Sequence, residues 1–312
     1  MTVPGWHHDA WQRLQTRRER GVLPHALALT GPQGLGKRAF VKRFVNSLLC
    51  QQRQPDGEAC GQCRSCLLLA AGTHPDFIST GLETRDDGKL RSEILIRQIR
   101  ALSERLSKAS QFGGWQIAVI DPADAMNTAS ANALLKTLEE PTSASLLLLV
   151  ADAPWRLPAT IRSRCQRIEF RLPSSEQAAE WLRAEGVGNP EQALAAAGGN
   201  PGLAQNWASS GATEQRSQVR ADLAALAEGR ADAFAVASQW AGDEPSQRLW
   251  FAAQAAADEA RQRASGQAGV LHSRLSDQAL HEWFVRAGHT RELLRGPLRT
   301  DLMVLELLAD WH

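Results

Sequence analysis

Three glycines and a lysine, followed by four cysteines, are the residues of this chain whose types and spacing could do chemistry. Residues 30–38 read T-G-P-Q-G-L-G-K-R, with Gly31, Gly34 and Gly36 ahead of Lys37. Glycines let successive backbone N–H groups turn inward around an anion. The N-terminus of a following helix adds partial positive charge, and a lysine reaches the outer phosphates of a nucleotide. The pattern G-x-x-x-x-G-K-[ST] is met at three of its four specified positions. Where a Ser or Thr hydroxyl should ligate Mg²⁺ stands Arg38, which has no acceptor for a metal and brings a positive charge. The stretch therefore predicts a phosphate cradle that has lost its metal ligand, and productive hydrolysis with it. ATP and Mg²⁺ are expected to bind weakly or not at all.

The cysteines are Cys50, Cys60, Cys63 and Cys66, spaced C-x9-C-x2-C-x2-C. Four thiolates at this spacing fit a closed tetrahedral zinc site, and with every position a cysteine no place stays open for water, so the metal is expected to be structural. Cytosolic thiols stay reduced, and no export signal is evident, so disulfides are not expected. Asp56 and Glu58 in the long spacer are read as solvated, His74 as a loop residue, and Cys165 as outside the set.

These groups need a scaffold. The apolar run 25–30 before the glycines reads as a strand and residues 39–49 after them as a helix, the order a phosphate-binding loop requires. Residues 6–20 read as an amphipathic helix with a basic, solvated C-terminal turn, Arg17-Arg18-Glu19-Arg20. Residues 76–80, 115–120, 145–151 and 166–170 read as strands, and 92–108, with Ser92 as cap, 127–140 and 158–165 as helices. Strands alternating with helices predict an α/β domain with a mostly parallel sheet. The run 115–120 is apolar throughout, as a central strand buried on both faces should be, and ends at Asp121-Pro122. In ATPases with this loop such a strand delivers a metal-binding acid and then the base that orients the attacking water. Asp121 keeps the first, whereas Pro122 has no carboxylate. Beyond residue 174 the chain reads as helical, with a polar linker near 209–213, Ala/Leu-rich helix-favouring segments from 214 on and an apolar last helix over 298–311.

At 312 residues the chain is long enough for two or three domains. Its 35 Lys+Arg nearly balance 34 Asp+Glu, which excludes a uniformly basic nucleic-acid binder while leaving room for a local patch. No segment approaches the roughly 20 apolar residues of a membrane span. Residues 1–10 hold two histidines and an aspartate instead of an apolar signal core. A soluble cytoplasmic protein is expected. Ten tryptophans and no tyrosine are a bias for which the sequence offers no account.

Residues 133–141, A-L-L-K-T-L-E-E-P, and 163–165, S-R-C, together with His25-Ala-Leu and the inserted cysteine module, resemble the clamp-loader branch of the AAA+ ATPases over about residues 1–205. The resemblance implies an AAA+ P-loop core with a parallel sheet and inserted zinc module (1–170, the module at about 50–66). A small helical lid (171–208) and an all-α collar (209–312) follow. It further implies DNA replication as the setting and a five-membered ring shared with a tau/gamma-type ATPase subunit and a delta subunit. Sliding clamp and primer-template DNA are met through the complex, with no membrane involved. In this branch the S-R-C arginine reaches the ATP of the neighbouring subunit, a role that falls on Arg164. Without the resemblance Arg164 reads as the partner of a surface carboxylate; Arg162 is read as a surface residue. The chain departs from the active pattern at Arg38, at Pro122, and at Gly202, where an active lid carries a sensor arginine. It resembles the subunits that keep S-R-C while their own site is degenerate, although Gly31, Gly34, Gly36 and Lys37 leave weak phosphate binding open. The competing expectations are a self-sufficient AAA+ ATPase of the helicase-loader type and a zinc-dependent nucleic-acid binder.

Overall fold

The computed structural model describes residues 4–142, 144–294 and 298–311, which divide into two compact units. Unit 1 comprises residues 1–186 and 200–203, unit 2 residues 187–199 and 204–312.

Unit 1 is built on five parallel strands, β1 (Ala26–Thr30), β2 (Phe77–Thr80), β3 (Gln116–Ile120), β4 (Ser145–Ala151) and β5 (Gln166–Glu169), in the order β2-β3-β4-β1-β5. Every residue of β1, β3 and β4 is buried, as near-continuous apolar runs require of strands covered on both faces. Side chains alternate with period two. Leu27, Leu29, Ile117, Val119, Leu146 and Leu148 pack with α1 (His8–Glu19) and α2 (Lys37–Leu49) on one face. Ala26, Ala28, Ala118, Ile120, Leu147 and Leu149 pack on the other against α4 (Ile96–Leu106) and α5 (Thr128–Glu139). Between these come α3 (Arg64–Ala70) in the cysteine module, α6 (Ala159–Arg162) ahead of β5, and α7 (Ser175–Ala184), capped by the Ser174 side chain. The α/β core with a parallel sheet is thus as the sequence implies.

Several element boundaries differ from expectation, among them two helix ends. The helix expected from residue 92 begins at Ile96, and Ser92 does not cap it. The Gln98 side chain instead turns back to accept the Leu95 N–H at 2.8 Å. The last helix, expected over 298–311, covers Thr300–Ala309.

Unit 2 is helical, holding α8 (Pro190–Ala196), the rest of α9 (Pro201–Ala208), α10 (Ala212–Ala227), α11 (Ala233–Gly242), α12 (Pro245–Ala264), α13 (Asp277–Leu293) and α14 (Thr300–Ala309). The helices read from sequence as a lid are shared out: α7 and residues 201–203 lie in unit 1, α8 and residues 204–208 in unit 2. The core of unit 2 explains part of the tryptophan excess. Trp240, Trp283 and Trp311 are fully buried, and each indole N–H has an acceptor: Asp222 Oδ2 at 2.8 Å, the Leu307 carbonyl at 2.9 Å and the Leu223 carbonyl at 2.8 Å. These three tryptophans fill volume without leaving their own buried donors unpaired. Among the described residues no helix is long and apolar enough to cross a membrane.

Candidate functional site

The strand ends assemble the site. In the β1–β4 register Thr30 lies opposite Ala151, so Gly31 and Asp152 leave adjacent strands side by side, and Asp121 leaves β3 on the other side of β4. Carboxyl ends of parallel strands are where α/β sheets collect their reactive groups.

Gly31, Gly34 and Gly36 have φ of 138°, 89° and 76°. All three are also pressed by neighbours. A Cβ on Gly31 would lie 2.1 Å from the Phe170 carbonyl oxygen, one on Gly34 2.4 Å from Asn200 Oδ1, and one on Gly36 2.7 Å from His7 Cε1. The loop is braced from outside. Trp6 Nε1 and His7 Nε2 donate to the Leu35 carbonyl at 3.2 and 2.8 Å, and Asn200 Nδ2 donates to the Gln33 carbonyl at 2.6 Å. Burial holds His7 below its ordinary pKa, with the bond to Leu35 opposing, so the ring is neutral and consistent with a single donated bond. Gly202 sits on Gly34 so closely that a Cβ there would lie 2.1 Å from its carbonyl oxygen. An arginine at this position would clash with backbone.

Lys37 is buried, and its ammonium is held by partners of its own chain. Nζ donates to the carbonyls of Gly31 at 2.6 Å and Pro32 at 2.7 Å and pairs with Asp152 Oδ1 at 2.6 Å. Of the three donors of a lysine, two are thus given to carbonyls, and the charge faces Asp152. Burial pushes its pKa below the ordinary lysine value against the pull of Asp152. Arg38 lies between two carboxylates, with Nη2 2.8 Å from Asp121 Oδ1 and 2.9 Å from Asp152 Oδ2. Burial alone would push Asp152 up, but hydrogen bonds from Arg38 and Lys37 outweigh it and hold the carboxyl below its usual range. Asp121 goes the other way, raised by burial more than Arg38 lowers it. Buried Asp124 accepts the backbone N–H groups of Asp152 and Ala153 at 3.0 and 3.2 Å and so fixes the turn that aims Asp152. The corner is a closed charge network of two cations and two carboxylates, with a third carboxylate bonded to backbone.

Arg164 stands apart, at the end of α6. Its Nη2 pairs with Glu139 Oε1 at 2.7 Å, and Nη1 donates to the Thr160 carbonyl at 3.0 Å. Glu139 closes α5, so the L-L-K-T-L-E-E-P and S-R-C segments meet in this pair. The surface carboxylate that the sequence leaves as Arg164's alternative partner is Glu139. Both side chains stay substantially exposed, at 37% and 50%. Arg162 is exposed, and Cys165 is buried, its thiol pushed up to about 11 by burial.

The ligand atoms of the four cysteines lie within 4.8 Å of one another, with Sγ–Sγ distances of 3.6 Å for Cys50–Cys60, 3.9 Å for Cys50–Cys63 and 4.0 Å for Cys60–Cys66. Sulfurs bound tetrahedrally at about 2.3 Å from one ion are about 3.8 Å apart. The set could therefore hold a metal ion. Backbone N–H groups of Cys60 and Cys63 point at the sulfurs of Cys50 and Cys60, both at 3.3 Å, which favours thiolate. His74 proves to be more than a loop residue. It is buried, accepts the Asp76 N–H at Nδ1 (3.1 Å) and meets Ser65 Oγ at 2.7 Å, and Ser65 in turn donates to the Leu49 carbonyl at 2.6 Å. This chain fastens the module to α2. Glu58, expected to be solvated, accepts from Arg43 Nε at 2.7 Å.

The sequence profile of the family described as DNA polymerase III, delta subunit, matches residues 6–174, just over half of the chain. The DNA polymerase III subunit delta-prime of Pseudomonas aeruginosa is 39% identical over 239 residues, which are 75% of this chain and 70% of that protein. The protein of the same name from Escherichia coli is 35% identical over 212 residues, 65% of this chain and 61% of its own length. A DNA polymerase III gamma subunit-related protein from Thermotoga maritima superposes with a TM-score of 0.47 at 14% identity, covering 95% of this chain and 97% of that one.

Proposed function

Because the chain belongs to the delta-prime family of DNA polymerase III, we propose that it acts as a non-hydrolysing subunit of a clamp loader. In this reading it helps to hold a five-membered ring with a tau/gamma-type ATPase subunit and a delta subunit. It lends Arg164 to the ATP of its neighbour while the clamp is loaded onto primer-template DNA. The observation that supports this best is the state of Lys37, whose ammonium is bonded to the Gly31 and Pro32 carbonyls and paired with Asp152. Arg38 occupies the space between Asp121 and Asp152 in which carboxylates of a hydrolytic site would meet a divalent cation. The site's own positive charge is consumed internally, so its nucleotide chemistry is lost.

Arg164 is the group with charge to give. Phosphoryl transfer is limited by charge stabilisation at the transferring phosphoryl, and a guanidinium supplied in trans is worth roughly 10³–10⁵ in rate. Its planar fork matches phosphate oxygens as a lysine cannot. Exchanging the exposed Glu139 for phosphate costs little, because a surface ion pair contributes only about 0–1 kcal/mol. The four cysteines hold structural zinc, whose work is to close the 50–66 loop. Gly31, Gly34, Gly36 and Lys37 retain the form of a nucleotide site without its function.

The test is the ATPase of the reconstituted loader with sliding clamp and primed DNA. Arg164→Ala should fold and assemble as the parent does and lower turnover by about 10³-fold at the affected site. Unchanged turnover in an assembled complex refutes the role. The chain alone should turn over no Mg-ATP; if it does, the self-sufficient ATPase is the better reading.

A further inference from the structure

β5 is an edge strand: among the described residues no strand pairs with its outer side. Its inner side bonds to β1, and the Phe170 N–H donates to the Thr30 carbonyl at 2.7 Å just beyond it. In a parallel ladder alternate residues turn their peptide groups to one neighbour. Gln166 and Ile168 share the parity of Phe170, so the N–H and C=O groups of Arg167 and Glu169 face outward. A groove of about 580 Å³ runs between this edge and α1. Its floor is apolar, made by Ala10, Leu14 and Ile168. Its lining is basic: Arg13 and Arg17, one turn apart on α1, border it together with Arg167 and Arg171, in and just beyond β5.

The charge there is not internally balanced. Of the two carboxylates in the groove, Glu169 is shared by Arg167 at 3.4 Å and Arg171 at 2.7 Å. Arg13 reaches only the Asp9 backbone carbonyl, at 3.2 Å, and among the described residues neither Arg13 nor Arg17 makes an ion pair. In a chain of net charge +1 this is a local basic patch beside an open hydrogen-bonding edge.

We propose that the groove receives an extended acidic segment of a partner polypeptide, which adds to β5 as an outer strand and sets its carboxylates against these arginines. Two features favour a peptide over a nucleic acid. Phosphates would satisfy the guanidinium groups but not the outward N–H and C=O pairs, which repeat at the spacing of a β-strand. The floor also offers apolar contact to alternate side chains. A second copy of this chain is disfavoured, because edge-to-edge pairing would bring like arginines together.

The test uses the full chain and a fluorescein-labelled peptide of alternating Asp and Val. Saturable, salt-sensitive binding is expected, weakened about tenfold or more by Arg13→Glu with Arg17→Glu. Arg167→Glu, at an exposed strand position, should weaken it independently of any effect on α1. Hydrogen exchange of the Arg167 and Glu169 amides should slow when the peptide is bound. Absence of binding, binding indifferent to these reversals, or unprotected amides overturn the proposal. A single-stranded oligonucleotide that binds more tightly through the same arginines overturns it in favour of a phosphate surface.

Discussion

Arg38 and Arg164 are the same residue type at two corners of one unit, and their surroundings hold them in opposite ways. Arg38 is flanked by Asp121 and Asp152, and these carboxylates hold its pKa above the ordinary value despite partial burial. Beside it Lys37 is enclosed by two carbonyls and a carboxylate. Arg164 has one carboxylate, exposed, one carbonyl and the Ser163 hydroxyl at 3.5 Å. Positive charge surrounded by fixed negative partners must leave them before it can serve a ligand. Charge held by a single solvated partner remains exchangeable. Motif matching alone would rank the two corners the other way, since the glycine loop carries the better-known pattern.

The largest effect that would sharpen this contrast, after the loss of turnover in Arg164→Ala, is on stability. Lys37→Ala leaves Asp152 largely buried with one cation removed. Breaking a buried pair by deleting one partner costs about 3–5 kcal/mol when the other charge is left alone; Arg38 stays paired with Asp152, so the loss should fall below that range. Urea unfolding of the isolated chain should show that loss. Mg-ATP should not raise the melting temperature of the parent chain, although a ligand at a hundred times its Kd would add about 2.7 kcal/mol. A parent chain that Mg-ATP stabilises in a Lys37-dependent way would show the ammonium to be available, and the contrast would fail.

A smaller effect concerns acid. The folded-state pKa of Asp152 is depressed by Arg38 and Lys37 against burial, so its contribution is present above the ordinary aspartate value of 3.8 and is lost as pH falls further, through the folded value. Asp121 is raised by burial, so its contribution has the opposite sign: present at low pH and lost as pH rises through its folded value. Asp152→Asn should therefore flatten the acid limb of stability against pH, and Asp121→Asn should steepen it. Equal slopes in both variants, measured by denaturation from neutral pH downward, would show that the two carboxylates are not differently held.

Much of this was legible in residue order. Strand ends, the glycine loop and the cysteine spacing are local patterns, and the fully apolar runs at β3 and β4 left little choice about burial. What was not legible depends on partners distant in sequence. Asp152 follows β4 in a polar turn, and only the β1–β4 register brings it to Lys37; its place at a strand's carboxyl end was the available signal. Asn200 reaches Gln33 across 167 residues, and His74 finds Ser65 only once the loop has closed. The Ser92 cap failed because Gln98 competes for the same helix end from inside the helix. Glu139 lay in plain view within the L-E-E-P run, yet nothing local assigns its carboxylate to Arg164.

That pair permits the finest discrimination. Glu139→Gln keeps the shape of the side chain and removes its charge, while the bond from Arg164 Nη1 to the Thr160 carbonyl remains. With both partners exposed the pair contributes about 0–1 kcal/mol, so the melting temperature should hardly move. If Arg164 must leave Glu139 to reach a neighbour's phosphate, the carboxylate competes with the transition state by at most that amount. ATPase of the assembled loader should then rise by up to about fivefold. A positioning glutamate gives the reverse, because a guanidinium freed from its guide samples unproductive rotamers and turnover falls. The direction of a small change thus decides whether Glu139 restrains the arginine or aims it. A rise that disappears in the Arg164→Ala background would show that the effect passes through that one guanidinium.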